Sequence, residues 1–214
     1  MTQLHLESLD KYRQEMFKKL VSFRSDGALA GGTAIALQIG HRRSFDFDIF
    51  THLPLTTNLW NKARKVFGNG VLKTLSTENQ LNFVTSENIS ITFFYDEVKP
   101  LYPEVQTSFI NLFNLQDLAG NKAFTIGQRG KWRDYVDLFF LLKTNSTTLK
   151  RIIDNCSQRS KQEIFPTKLF LEQLVYFEDL MVQEIDFIGP KIEPAEIKEF
   201  LSEQVNKFKD MELS

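Results

Sequence analysis

Asp46 and Asp48 stand one residue apart in Phe45-Asp46-Phe47-Asp48-Ile49-Phe50, and thirteen residues separate Asp46 from Gly32 of a Gly31-Gly32-Thr33 turn. The run is rich in β-favouring side chains, so strand alternation sends Phe45, Phe47 and Ile49 to one side and both aspartates to the other. At a rise of about 3.3 Å per residue the two Cα atoms lie ~7 Å apart, and both carboxylates can reach one hard cation or a close pair of cations. Mg²⁺ suits such a site, because it binds oxygen and commonly takes one or two carboxylates together with substrate phosphates.

The elements that position this pair can be read around it. Thr33 to Ile39 is a compact helix-forming stretch, opened by Gly31 and Gly32 and closed by Gly40 where a C-terminal cap falls. Glycines at a helix start let phosphate approach the backbone, where unpaired N–H groups and the positive end of the helix dipole attract an anion. A triphosphate therefore fits between Gly31, Gly32 and Thr33 and a metal held by Asp46 and Asp48. Taken singly, a Gly-Gly loop or the solvent face of an edge strand explains each element; the ordered combination points to nucleotide chemistry. His41 and Arg42 follow the helix, either as capping groups at its negative end or, for Arg42 above all, as contacts to a nucleotide base or phosphate.

A second block runs Asp117-Leu118-Ala119-Gly120-Asn121-Lys122-Ala123, then Gln128-Arg129-Gly130-Lys131-Trp132-Arg133-Asp134-Tyr135-Val136-Asp137-Leu138. Gly127 and Gly130 interrupt helical periodicity, which predicts one helix over about 115 to 126 and another over about 132 to 143. The latter is apolar on almost every face and therefore largely buried. Burying Asp134 or Asp137 without a partner costs several kcal/mol, so each needs a cation, hydrogen bonds or a cleft. Arg133, four residues before Asp137, offers an ordinary helical ion pair. Lys122 reads either as a snorkelling surface lysine or as a phosphate contact that stabilises charge during transfer.

The first block resembles the Gly-Gly turn and Asp-x-Asp signature of the DNA polymerase β-like nucleotidyltransferase superfamily. Residues 29 to 48 look closer still to the AbiEii/AbiGii toxin branch. The second block is similar to that branch's Asp-Leu/Ile-Ala-x-x-Lys and Arg-Gly-x-x-Arg/Lys-Asp-x-x-Asp-Leu, and Tyr176-Phe177-Glu178-Asp179 is also similar to the group. The resemblance spans about half the chain. It implies a Mg²⁺-dependent nucleotidyltransferase with an NTP as co-substrate, acting as the toxin of a bacterial toxin–antitoxin or phage-defence pair. Asp46 and Asp48 would hold metal, Gly31, Gly32, Thr33 and Arg42 would meet the nucleotide, and Lys122 with Asp134 or Asp137 would complete the catalytic set. An RNA hydroxyl is the expected acceptor and a separately encoded antitoxin the expected partner.

The superfamily carries a third carboxylate on a later strand. The matching stretch here, Ile89 to Tyr95, offers Ser90 and Thr92 on its polar face; Glu87 and Asp96 flank it without matching. Asp134 or Asp137 in that role, a site with fewer ligands, and a nucleotide- or RNA-binding module without catalysis all remain open, as does transfer to a small molecule or protein.

Length, at 214 residues, and 42% hydrophobic content with 20 phenylalanines describe a folded globular chain. One cysteine excludes an internal disulfide, the charged start lacks a signal-peptide pattern, and no apolar run matches a membrane span, so no membrane partner and a cytoplasmic location are expected. Charge is unevenly distributed: residues 122 to 168 carry 10 basic and 4 acidic side chains, residues 169 to 214 carry 4 and 11. The basic middle, with Lys143, Lys150, Arg151, Arg159 and Lys161, either tracks an RNA backbone or a triphosphate tail, or pairs with the acidic tail.

Further elements are expected as an opening helix over 4 to 23, strands near 28–29, 45–50, 71–76, 81–85 and 89–95, and a helix over 58 to 67. Together they predict an α+β fold, a small mixed β-sheet nucleotidyltransferase core flanked by helices and followed by a mostly helical C-terminal part. The division is placed at residues 1–108 for the core and 109–214 for the helical part, with Pro100 and Pro103 marking the junction.

Overall fold

The structure, a computed structural model, describes residues 3–159 and 165–212. Two compact units are present, Met1–Lys99 with Pro103–Asn114, and Pro100–Tyr102 with Leu115–Ser214.

The first unit is built on a five-stranded mixed sheet. Its strands are β1 (Gly27–Ala30), β2 (Phe47–Thr51), β3 (Leu72–Ser76), β4 (Gln80–Val84) and β5 (Ser90–Tyr95), in the order β1-β2-β5-β4-β3. Only β2 and β5 pair in parallel. Alternation sorts the strands into two faces. Phe47, Ile49, Leu81, Phe83, Ile91 and Phe93 are buried on one, against α1 (Lys11–Lys19), the 3-10 turn Leu20–Phe23 that follows it, and α3 (Thr57–Phe67). Phe23 joins these layers, with its ring 5.0 Å from Phe93 and 5.7 Å from Phe67, and Phe67 lies 5.6 Å from Phe83. The opposite face presents Asp48, Phe50, Thr92, Phe94 and Asn82, all half-buried.

α2 (Gly31–Ile39) follows β1 directly and ends at Gly40, whose φ of +65° lets the backbone N–H return to Ala36 O at 2.8 Å. The outer edge of β1 is covered, since Leu29 N–H donates to Asn111 O and Phe113 N–H donates to Leu29 O. At the other edge β3 is exposed at all five residues, Leu72 and Leu75 included, and its register with β4 shifts between Lys73 and Leu75.

Two local expectations change. The opening helix is divided: a turn at Leu6–Ser8 precedes α1, because the Asp10 carboxylate accepts Arg13 N–H as the cap of a new helix. The strand expected from Phe45 begins at Phe47, so Asp46 lies just outside it. Its carbonyl accepts from the Thr33 hydroxyl.

The second unit is helical, with α4 (Leu115–Arg129), α5 (Trp132–Lys143), α6 (Leu149–Arg159), α7 (Thr167–Val175) and α8 (Pro194–Glu212). α4 packs on α5, α6 and α7, and α8 packs on α5, α6 and α7. Gly127 does not end α4, contrary to the expected break; it is buried against Phe170, and the chain turns at Gly130. Asp117 on α4 accepts the N–H groups of Leu101 and Tyr102 at 2.8 and 3.0 Å, which attaches the 100–102 segment to this unit.

Phe93 sits at the centre of the aromatic core, so Phe93→Ala should lower the unfolding free energy by roughly 3–5 kcal/mol. Urea titration followed by circular dichroism checks this, and a loss below about 1 kcal/mol would show that the core is not organised around that ring.

Candidate active site

In the first unit, the register puts Ala30 opposite Asp48 and Asp48 beside Thr92, which in turn pairs with Asn82. A polar row thus crosses the half-open face, with Asn82 Oδ1 accepting from Gln80 Nε2 at 3.0 Å. Thr92 occupies the place next to Asp48 where a third strand carboxylate would stand. No motif marks Asn82; the alternation of Gln80, Asn82 and Val84 against buried Leu81 and Phe83 is the signal that places it on this face.

The Gly31 turn and the acidic segment meet directly. Gly31 has φ +65°, and a Cβ there would collide with the Asp48 carboxylate. Only glycine satisfies both the left-handed backbone and this approach. Asp48 is therefore held against the start of α2, where the helix dipole favours negative charge and where no side chain caps the helix from Ala30. Gly32 lies in the same first turn. Thr33 is buried and its hydroxyl is committed inward, to Asp46 O and to Ser44 Oγ at 2.8 Å. Ser44 N–H donates to Ser8 O at 2.9 Å, fixing the segment that leads into Asp46. His41 and Arg42 are buried too, and Arg42 Nη1 donates to Arg43 O at 2.9 Å.

In the second unit, Lys122, Asp134 and Asp137 come together. Lys122 Nζ is 2.6 Å from Asp134 Oδ1 and 2.7 Å from Asp137 Oδ2, and all three residues are buried. The cation beside Asp137 thus includes a lysine fifteen positions earlier in the chain. Lys131 N–H also donates to Asp134 Oδ2 at 2.9 Å, tying the start of α5 to the cluster. Burial alone would lower the Lys122 pKa; the charges of Asp137 and Asp134 and their hydrogen bonds outweigh it and hold the ammonium above its ordinary 10.5. Two of its three N–H donors serve these carboxylates.

The same unit contains a cleft of about 440 Å³, lined among others by Gln128, Lys131, Trp132, Arg133, Tyr135 and Asp179. Lys131 and Arg133 are exposed at it. Tyr135 Oη donates to Gln173 O at 2.9 Å, and burial together with nearby Asp179 and Asp134 pushes its pKa up to about 12. The basic stretch divides. Lys143 pairs with Glu196 at 2.7 Å and Lys150 with Glu212 at 3.8 Å, both on α8, while Arg159 is buried and donates to Asn121 Oδ1 at 2.7 Å. Arg151 is exposed, and Lys161 lies outside the described residues.

A five-stranded mixed sheet with a helical C-terminal unit is an architecture that nucleotidyltransferases share. MenT4, a nucleotidyltransferase toxin from Mycobacterium tuberculosis H37Rv, matches with a TM-score of 0.60 and 13% identity, over 93% of this chain and 82% of that one. A candidate nucleotidyltransferase from H. pylori matches with a TM-score of 0.59 and 19% identity, over 95% and 96%. "Uncharacterized protein aq_aa25" of Aquifex aeolicus (strain VF5) is 28% identical over 207 residues, 95% of this chain and 98% of that protein.

Residues 74–211 match the model of the nucleotidyl transferase AbiEii toxin family, described as a type IV toxin–antitoxin system. The chain belongs to this family, and it is a toxin nucleotidyltransferase with the α+β fold expected from its sequence. The matched stretch includes Lys122, Asp134 and Asp137; Gly31 to Asp48 precede it. Among the described residues no helix is long and apolar enough to cross a membrane.

Removing the lysine would take its ammonium away from two buried carboxylates. Lys122→Met should cost roughly 3–5 kcal/mol, read as a loss of melting temperature by calorimetry. The sign of the pH dependence follows from a raised lysine pKa: the contribution is fully present below 10.5 and is lost as pH rises through the higher folded value. The wild-type minus Lys122→Met stability difference should accordingly stay flat from pH 7 to about pH 10 and shrink above it. A difference that already shrinks between pH 7 and 9 would sink this assignment.

Proposed function

We propose that this enzyme transfers a nucleoside monophosphate from an NTP to an acceptor hydroxyl with Mg²⁺ as cofactor, that the acceptor is RNA, and that a cognate antitoxin protein opposes it. The observation carrying this proposal is the seating of Asp48 against Gly31 at the start of α2, which joins a carboxylate to a backbone surface free of side-chain bulk. Such a donor set suits Mg²⁺: two carboxylates, with the remaining positions left to water and phosphate oxygens. Asp46 and Asp48 are the two carboxylates that this segment offers.

Asp46 and Asp48 would hold the ion, which when bound neutralises charge on the phosphates during in-line displacement. The N–H groups of Gly31 and Gly32 would face the triphosphate. Thr33 acts through its grip on the Asp46 carbonyl, and Arg42, buried in the segment between α2 and Asp46, would contribute positive charge. The acceptor hydroxyl oxygen bonds to the α-phosphorus and gives up its proton to solvent as the α–β phosphoanhydride breaks and pyrophosphate leaves. Lys122 is assigned to a phosphate oxygen, with Asp134 and Asp137 holding its ammonium charged and oriented. Support for an RNA acceptor comes from Lys131 and Arg133, exposed at the nucleotide-sized cleft of the helical unit.

Incubation with Mg²⁺, each α-labelled NTP and total RNA tests the acceptor: label in RNA supports it, and label only in a small molecule or protein replaces it. Asp46→Asn and Asp48→Asn should each lower transfer by about a hundredfold or more, as loss of several kcal/mol of charge stabilisation requires, with unchanged circular dichroism. Retained activity in either variant removes that residue from the metal site.

A further inference from the structure

Arg13 lies outside both sequence blocks, on α1, yet it reaches the segment that carries Asp46. Its Nε donates to Phe45 O at 2.8 Å, and its guanidinium lies 5.1 Å from the centroid of the Phe45 ring. Its Nη1 is paired with the Asp10 carboxylate, whose other oxygen accepts Arg13 N–H at 2.9 Å to cap α1. The guanidinium is thus fixed by the helix from which it projects. Burial would raise the Asp10 pKa, but the hydrogen bonds from Arg13 backbone and side chain more than compensate and hold it low, so the anchor is charged at neutral pH.

The next carbonyl along, Asp46 O, is held by Thr33 from α2. Two successive carbonyls are therefore gripped by side chains from two different helices. Between them lie the φ and ψ of Asp46, the backbone torsions at the residue whose carboxylate is to be aimed. Phe45 itself is 45% exposed, so burial of its ring does not fix this peptide.

We propose that Arg13 is a positioning residue for the metal site, orienting Asp46 by clamping the Phe45 carbonyl. This rests on the assignment of Asp46 as a metal ligand. The planar guanidinium suits the role because its rigid fork of donors reaches Asp10 and Phe45 O in one fixed geometry, whereas a lysine ammonium sits on a flexible stem without such a fork. Groups that orient a ligand from outside the coordination sphere typically account for ten- to a hundredfold in metal affinity.

The test measures Mn²⁺ binding by electron paramagnetic resonance, together with half-saturating Mg²⁺ and NTP KM in the transfer reaction, for wild type, Arg13→Met, Arg13→Lys and Asp46→Asn. Arg13→Met keeps the aliphatic cover over Phe45 and the Asp10 cap while removing both side-chain donors. It should weaken Mn²⁺ binding about tenfold and raise half-saturating Mg²⁺ in proportion, with NTP KM at saturating Mg²⁺ and the circular dichroism spectrum unchanged. Arg13→Lys should weaken Mn²⁺ binding by about threefold, and it decides the matter alone if Arg13→Met does not fold. Wild-type Mn²⁺ affinity in the folded Arg13 variant, alongside loss of binding in Asp46→Asn, overturns the clamp. Wild-type affinity in Asp46→Asn overturns the metal assignment beneath it.

Discussion

The first turn of α2 and the start of β2 occupy nearly the same space, and the first unit is organised around that contact. A side chain at position 31 would collide with Asp48, so the helix opens on a glycine in the left-handed region. Thr33, in the same first turn, claims the carbonyl of Asp46 just ahead of β2, which starts at Phe47, two residues after the start that β-propensity gives. Backbone conformation and acidic segment are thus set by the same few atoms, and the sheet then places Thr92 and Asn82 beside them by register alone.

Features legible in the sequence were those with local causes. Gly40 ends α2 because a left-handed residue is needed there, and the run from Trp132 to Lys143 is helical over the span its apolar pattern gives. The polar face of β5, with Ser90 and Thr92, also follows from alternation. What was not legible depended on partners distant in sequence. Helical spacing offers Arg133 to Asp137, but nothing local announces that Lys122 also sits beside it, brought by the packing of α4 on α5. Gly127 looked like a helix break, and close packing on Phe170 overrides its intrinsic preference. Nothing in the spacing of Asp10 and Arg13 reveals that the guanidinium goes on to bond a carbonyl 32 residues later.

The uneven charge distribution has a structural explanation in part. Lys143 and Lys150 of the basic stretch meet Glu196 and Glu212 of the acidic helix α8, so part of the segmental imbalance is internal pairing across one helical unit. These pairs are exposed and contribute little to stability. The buried cluster of Lys122, Asp134 and Asp137 is different in kind: its charges meet in surroundings where an unmatched charge is costly. Conserving its geometry constrains α4 and α5 more tightly than the surface pairs constrain α8.

The outer strand β3 bears on how the molecule behaves at high concentration. A sheet edge with unpaired N–H and C=O groups is a template onto which another chain can add, and two exposed leucines make this one adhesive. The shift in register after Lys73 breaks the regular spacing that such addition needs, and Lys73 folds its ammonium over the Trp60 ring, 5.1 Å from the centroid. Resistance to runaway strand stacking thus rests on one irregular residue step and one lysine, with no help from a covering segment among the described residues.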